Sequence, residues 1–267
     1  MTAAAPVVGH EGGLVFITGA SSGIGQALAA RFHAAGYRLA LVARRADEVR
    51  RWAESQGFAA TRFAVYAADV RDIAAITGVG RDCIASQGLP DVVIANAGIS
   101  VGIDTAVLAD LEVMRATYET NNIGMAATFQ PFLAAMQARG SGTLVGIASV
   151  AGVRGLPGHG AYCASKAAVI SYCETLRGEL RGSGVAVVTL MPGYIDTPLT
   201  KGNRYSMPFL MSAVDFADRA FAAIAAGASL RVIPWQMGWI ARLMHLMPNG
   251  LFDRLVAGRP RKRRQGE

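Results

Sequence analysis

The chain is poor in cysteine: Cys83, Cys163 and Cys173 are the only three in 267 residues, and none forms a C-x-x-C pair. An odd, scattered set excludes a secreted disulfide framework and a cysteine zinc site, and it fits a reducing, cytoplasmic compartment. No metal is expected. Charged residues are few at 17% while hydrophobic residues reach 52%, which excludes bulk disorder. No basic leader precedes the first apolar stretch. Residues 1–13 are mostly small and read as a flexible N-terminus without a signal peptide. No run is fit to cross a bilayer either: the longest charge-free stretch, 120–138, holds two Asn, two Gln, two Thr and a Pro. Internal repeats and Pro/Ser-rich linkers are absent, so a single domain is expected. The net charge of +7 is local: Arg259, Arg261, Lys262, Arg263 and Arg264 supply five positive charges, leaving 21 basic against 19 acidic residues elsewhere. That balance argues against a nucleic-acid-binding face.

Short β-branched runs alternate with longer amphipathic or Ala-rich segments. Strands are expected at 14–18, 37–43, 61–66, 91–95, 143–148, 184–190 and 229–233. Helices are expected at 23–35, 46–56, 71–87, 110–138, 160–182 and 213–226. Runs such as Val92-Val93-Ile94-Ala95 are apolar at every position, as strands covered on both faces are. The fold class is therefore α/β: a Rossmann-type, doubly wound parallel sheet of about seven strands, with helices on both faces. The chain divides into residues 1–13, a nucleotide-binding catalytic domain over 14–233, a helical C-terminal extension over 234–258 and a basic tail over 259–267.

The first strand runs into Thr18-Gly19-Ala20-Ser21-Ser22-Gly23-Ile24-Gly25 and then an apolar helix. Glycines let backbone N–H groups approach an anion, and a helix N-terminus adds partial positive charge, so this turn suits a pyrophosphate. The spacing is G-x-x-x-G-x-G rather than the commoner G-x-G-x-x-G. Gly19, Ser21, Ser22, Gly23, Ile24 and Gly25 are thus candidate cofactor residues. The second strand ends Ala43-Arg44-Arg45 without an acid. An acid at this point would accept from a free ribose 2′-hydroxyl, whereas arginine accommodates a 2′-phosphate, so NADP(H) is expected over NAD(H).

Tyr162 and Lys166 stand four residues apart and share one face of a helix, and Ser149 follows the strand-like run 143–148. Singly, each has an ordinary structural explanation; their joint spacing outweighs it. With these residues the chain resembles the short-chain dehydrogenase/reductase family over about residues 14–233. The motifs that carry the resemblance are the glycine turn, Asp69-Val70, Asn96-Ala97-Gly98, Asn121, Ser149, Tyr162-x-x-x-Lys166, and Pro192-Gly193 followed by Thr197. Two departures are small. Ala148 precedes Ser149 where many relatives have a second serine, and Asn121 is preferred to Asn122 on the Asn-x-x-Gly register ending at Gly124.

The resemblance implies a proton-transfer site in which Tyr162 is acid or base, Ser149 polarises the substrate oxygen and Asn121 helps to place a water. Lys166 would bind the nicotinamide ribose and lower the Tyr162 pKa. It implies that Asp69 and Val70 hold the adenine and that Asn96, Ala97 and Gly98 pack on the cofactor. Pro192, Gly193, Ile195 and Thr197 would meet the carboxamide and diphosphate. It also implies a homodimer or homotetramer joined through helices 110–138 and 160–182. Free tyrosine titrates near ~10, too high for efficient acid–base work at neutral pH. A cation about 4 Å away contributes roughly 4 kcal/mol at an effective dielectric of ~20, enough for up to about 3 pKa units.

The loop after Thr197 holds Met207, Phe209, Leu210 and Met211, which suggests a lipophilic carbonyl or alcohol as the small-molecule substrate. His159 reads as a local hydrogen-bonder. In the extension, Trp235, Trp239, Ile240, Leu243, Met244 and Met247 form a helical stripe, and Leu251, Phe252, Leu255 and Val256 begin a second. The stripe is open to four readings: packing on its own domain, a lid, a protomer interface, or weak contact with an anionic membrane surface aided by the tail. The tail itself reads as solvated. The leading function is an NADP(H)-dependent oxidoreductase; the rival is a non-catalytic NADP(H)-binding regulator or membrane-docked scaffold.

Overall fold

The computed structural model describes residues 12–203, 205–258 and 260–266. Most of the expected flexible N-terminus, and Arg259 of the tail, lie outside the described residues. Seven strands form one sheet: β1 (Leu14–Thr18), β2 (Arg38–Ala43), β3 (Phe63–Ala67), β4 (Val92–Ala95), β5 (Gly142–Ile147), β6 (Val185–Pro192) and, at one edge, a strand over Leu230–Ile233. Two two-residue strands precede that edge strand in the chain, β7 (Ile195–Asp196) and β8 (Met211–Ser212), so it is β9. The order in the sheet is β3-β2-β1-β4-β5-β6-β9, with every pairing parallel. The order reverses between β1 and β4. A doubly wound sheet opens a crevice at the carboxyl ends of its strands at such a reversal.

Both faces of the central strands are dry, while the edge strands β3 and β9 are partly exposed. On β1, Leu14 and Phe16 point into one core with Ile76, Phe129, Phe132, Val169 and Cys173. Val15 and Ile17 point into the other with Leu28, Phe32, Val49, Phe216 and Ala220. This two-sided burial is why the strands read as unbroken apolar runs. The covering helices are α1 (Gly23–Ala34), α2 (Ala46–Ser55) and, later in the chain, Ala213–Ala225 on one side. On the other are α3 (Ile73–Gln87), α5 (Gly124–Arg139) and α6 (Gly160–Glu179), with α4 (Asp110–Tyr118) beside α6. The helix over Ala213–Ala225 is α7; α8 (Trp235–Leu246) and α9 (Asn249–Val256) form the extension.

Three local expectations change. The single helix expected over 110–138 is interrupted by a π-helical turn, Glu119–Ile123. The extra residue turns Asn121 into the protein, where it is 2% exposed. The stripe on α8 is split between two faces: Ile240 and Met244 pack with Met237, Ala241 and Val150, while Trp235, Trp239 and Leu243 are each more than 60% exposed. On α9, Phe252 and Val256 are buried and Leu251 and Leu255 face out. The part of the basic tail over 260–264 is also laid against the body rather than solvated, because its backbone and three of its cations, Arg261, Lys262 and Arg264, find partners there. Among the described residues no helix is long and apolar enough to cross a membrane.

Candidate active site

The crevice above the β1/β4 reversal is a cavity of about 900 Å³. One end begins at the glycine turn. Gly19 has φ +70°, and a Cβ there would lie 2.8 Å from the Ala97 Cα. A Cβ on Gly25 would strike the Gly19 carbonyl oxygen, so a side chain at either position would close the turn. Asn96 fixes the turn from β4: its Nδ2 donates to the Thr18 carbonyl at 3.0 Å and to the Gly19 carbonyl at 3.2 Å. Ser22 caps α1 without any side-chain hydrogen bond to it, which leaves first-turn N–H groups for an anion. The bare turn, the tied Asn96 and the uncapped helix together fit a dinucleotide pyrophosphate.

Arginines gather further along this end. Both Arg44 and Arg45 line the cavity; Arg45 is engaged by Glu48 at 2.6 Å, and Arg44, its side chain 60% exposed, lies 3.9 Å from an Asp69 carboxylate oxygen. Asp69 also lines it, but Arg71 grips its carboxylate, Nε and Nη2 donating at 3.1 and 2.7 Å to one oxygen. That grip holds the Asp69 pKa below the usual carboxylate value. Arg71 is a third cation at this end that sequence reasoning missed; its place next to Asp69-Val70 was the available signal.

Ser149, Tyr162 and Lys166 meet in the middle of the cavity. Ser149 leaves β5 in an extended conformation and accepts from the Ala151 N–H at 3.1 Å. Tyr162 lies in the first turn of α6 and Lys166 one turn on, with Lys166 Nζ 5.7 Å from the phenol ring centre. Lys166 is 5% exposed and donates to the Ile147 carbonyl at 2.7 Å. Burial drives its pKa down to about 8. Burial likewise pushes the Tyr162 phenol up to about 12, against a smaller lowering by its hydrogen bond with Ser149. Among the protein groups, burial outweighs the lowering of the Tyr162 pKa. The Lys166 charge is itself weakened by burial.

Of the predicted site residues, all line the cavity except Asn121 and Gly25. Asn121 is spent on the scaffold. Its Oδ1 accepts from the Ile99 N–H at 2.8 Å, and its Nδ2 donates to the Ile99 carbonyl and to Ser165 Oγ at 3.0 and 2.9 Å. It ties the loop after β4 to the helix that carries Tyr162 and Lys166. A Cβ on Gly98 would lie 3.2 Å from Asn121 Oδ1 and 3.5 Å from Lys166 Nζ, so a side chain there would press on Asn121.

The other end of the cavity differs from expectation. None of Met207, Phe209, Leu210 and Met211 lines it; Phe209 and Leu210 are about half exposed, at 50% and 49%. The pairing of β7 with β8 pins both ends of their loop and turns these side chains away, while Leu199, Tyr205 and Pro208 face in. Apolar lining comes instead from Val150 and Leu156 and from the extension, through Met237, Ile240, Met244 and Val256. Arg154 holds that extension: it donates to the Met244 and Met247 carbonyls at 2.8 and 2.9 Å and to Asn249 Oδ1 at 3.0 Å, and it lies 4.1 Å from the Phe252 ring centre. His159 is a hydrogen-bonder, as expected, with Nδ1 on the Pro157 carbonyl and Nε2 on Tyr205 Oη, each at 3.2 Å. Among the described residues no cluster of His, Cys, Asp and Glu could hold a metal ion.

Residues 13–207 match the short chain dehydrogenase family. An uncharacterized oxidoreductase of Myxococcus xanthus is 37% identical over 89% of this chain and 93% of its own length. A solved short-chain dehydrogenase/reductase from Burkholderia phymatum in complex with NAD superposes with a TM-score of 0.80, covering 89% of this chain and 94% of that one at 24% identity. L-sorbose reductase from Gluconobacter frateurii, complexed with NADPH and L-sorbose, superposes with a TM-score of 0.76 at 26% identity, over 85% and 96% of the two chains. The chain belongs to the short-chain dehydrogenase/reductase family of oxidoreductases, and a nicotinamide dinucleotide is the class of cofactor its structural neighbours bind.

Proposed function

We propose that this protein is an NADP(H)-dependent reductase that interconverts a lipophilic ketone or aldehyde and the corresponding alcohol. The observation that carries the reading is the meeting of Ser149, Tyr162 and Lys166 where the glycine-turn end of the cavity joins its apolar end. A bound nicotinamide dinucleotide supplies the hydride in reduction and accepts it in oxidation. The glycine turn, Arg44, Asp69, Val70, Asn96, Ala97, Gly98, the segment from Pro192 to Thr197, and Lys166 are the residues that would hold it.

The chain's own part is orientation and the proton. Ser149 donates a hydrogen bond to the substrate oxygen and polarises it. Tyr162 Oη gives its proton to that oxygen as the carbonyl carbon becomes an alcohol carbon, and takes it back in the other direction. Lys166 stabilises the phenolate that forms. With its pKa lowered to about 8, it is also a ready proton source. Asn121 keeps α6 and the Ile99 loop in register. The preference for NADP(H) rests on Arg44 and Arg71 beside the ribose end, with no free acid there.

We read 14–233 as the nucleotide-binding catalytic domain and 234–258 as its lid. The buried free thiols of Cys83, Cys163 and Cys173 favour a reducing cytoplasm. Exposed Leu108, Leu111, Ile123 and Tyr172 on and beside α4, α5 and α6 support a homo-oligomer through those helices. Trp235, Trp239 and Leu243, with the exposed Arg242 among them, suit peripheral contact with an anionic membrane. Sedimentation with and without phosphatidylserine vesicles checks both contacts.

Tyr162→Phe tests the central claim. Turnover of carbonyl compounds, followed by NADPH absorbance, is expected to fall about 10³-fold or more while NADPH affinity stays within about twofold. Full activity in the variant overturns the assignment.

A further inference from the structure

The C-terminal segment crosses the mouth of the apolar end. The Gly102 N–H donates to the Arg263 carbonyl at 2.9 Å, and Gly102 and Arg264 form a parallel bridge. Arg264 then anchors on Asp110, a carboxylate residue only 5% exposed, with Nε and Nη2 at 2.7 and 3.2 Å. Arg261 reaches Asp104 at 3.7 Å. Between these anchors Lys262 lines the cavity.

We propose that Lys262 selects carbonyl substrates that carry an anionic group, a carboxylate or a phosphate, alongside their apolar part. The proposal rests on the oxidoreductase reading of the same cavity and refines it.

Four observations support it. First, among the described residues the cavity lining contains a single carboxylate, Asp69, which lies at the opposite end and is gripped by Arg71. No acid among the described lining residues competes for Lys262. Second, Lys262 Nζ donates to the Leu199 carbonyl at 3.2 Å, a neutral acceptor that uses one of three donors. Third, among the described lining residues the other cation of this end, Arg154, is committed: its bonds described above go to the extension. His159 is held toward its neutral form by burial, and the Lys262 charge adds to that. Fourth, burial lowers the Lys262 pKa without any compensating anion from the protein. Lys262 is half-buried; a substrate anion would offset the partial desolvation of its ammonium, and a charge-assisted hydrogen bond there is stronger than a neutral one. The apolar side chains of Met237, Ile240, Met244 and Val256 would take the rest of such an amphiphile.

The test compares medium-chain keto acids, differing in the spacing of ketone and carboxylate, with their methyl esters, using NADPH. Wild type is expected to favour at least one acid over its ester in kcat/KM by about tenfold or more. Lys262→Gln should abolish that preference while leaving the ester values within about twofold; Lys262→Arg should keep it. An unchanged acid-to-ester ratio in Lys262→Gln, or wild-type preference for every ester, overturns the proposal. Calorimetric titration with decyl phosphate and with decanol needs no turnover. Tighter binding of the phosphate that is lost in Lys262→Gln supports the proposal even if no carbonyl compound is reduced, in which case the reductase reading alone fails. Equal binding of phosphate and alcohol, together with no acid preference, removes it.

Discussion

The two ends of the cavity are built in different ways. The dinucleotide end is made of the carboxyl ends of β1, β2 and β4 and the turns that follow them, and its defining contacts are backbone contacts. Gly19 against Ala97 and Asn96 against the Thr18 carbonyl are examples. The substrate end is made of side chains from α8, α9 and residues 260–264, brought back over loops that lie some 100 residues earlier. Arg154 to Met244 spans 90 residues and Arg264 to Asp110 spans 154. An end made of local backbone geometry demands particular residues at fixed spacing. An end made of distant side chains demands only shape and charge.

That contrast predicts that the two ends fail separately. The largest effect, from Tyr162→Phe at their junction, removes turnover and spares cofactor binding. Next, Arg44→Asp should shift the NADPH-to-NADH ratio of kcat/KM by about 10–100-fold toward NADH, since a charge-assisted phosphate contact is replaced by repulsion. Substrate KM should barely move. An unchanged ratio would overturn the proposed contact of Arg44 with a 2′-phosphate.

At the other end, Arg264→Gln should raise substrate KM about fivefold to tenfold, because the segment that closes the mouth loses its charged anchor. NADPH affinity, measured by fluorescence titration, should not change. Equal losses at both ends would show that the segment supports the whole fold rather than one mouth of the cavity.

A separate effect is on stability and concerns Lys166. Its pKa is about 8 in the folded chain against an ordinary 10.5. Between those values the unfolded chain holds a proton that the folded chain has released, so stability rises with pH across that window. Lys166→Met should flatten the rise, which amounts to roughly 3 kcal/mol at full extent. Urea denaturation from pH 7.5 to 10 would show it. Above pH 10 the Tyr162 phenol, pushed up to about 12, works in the opposite sense, since only the unfolded chain then releases its proton.

The legibility of the molecule follows the same division. The glycine turn could be read because a Cβ at Gly19 or Gly25 cannot be accommodated. The Tyr162/Lys166 pair could be read because four residues make one helical turn. The interruption at Glu119–Ile123 left no mark, since Asn121 turns inward to satisfy partners on Ile99 and Ser165 that are remote in sequence. Hydrophobicity misled twice. Phe209 and Leu210 look like pocket residues but face out, and half of the α8 stripe is solvent-exposed. The basic run at the end carries no periodic signal that separates a solvated tail from a docked one.

The sequence by itself determined the seven-stranded parallel sheet, the dinucleotide crevice and the Ser149, Tyr162 and Lys166 set. Strand burial, tight turns and helical spacing are local constraints that write themselves into residue order. The tertiary structure alone decided which apolar residues line the substrate end, that Asp69 belongs to Arg71, and that the last basic residues close the cavity and carry Lys262 into it. Those outcomes depend on which surfaces meet after the chain has folded, and a buried charge such as Asp110 selects its partner by proximity in space rather than in sequence.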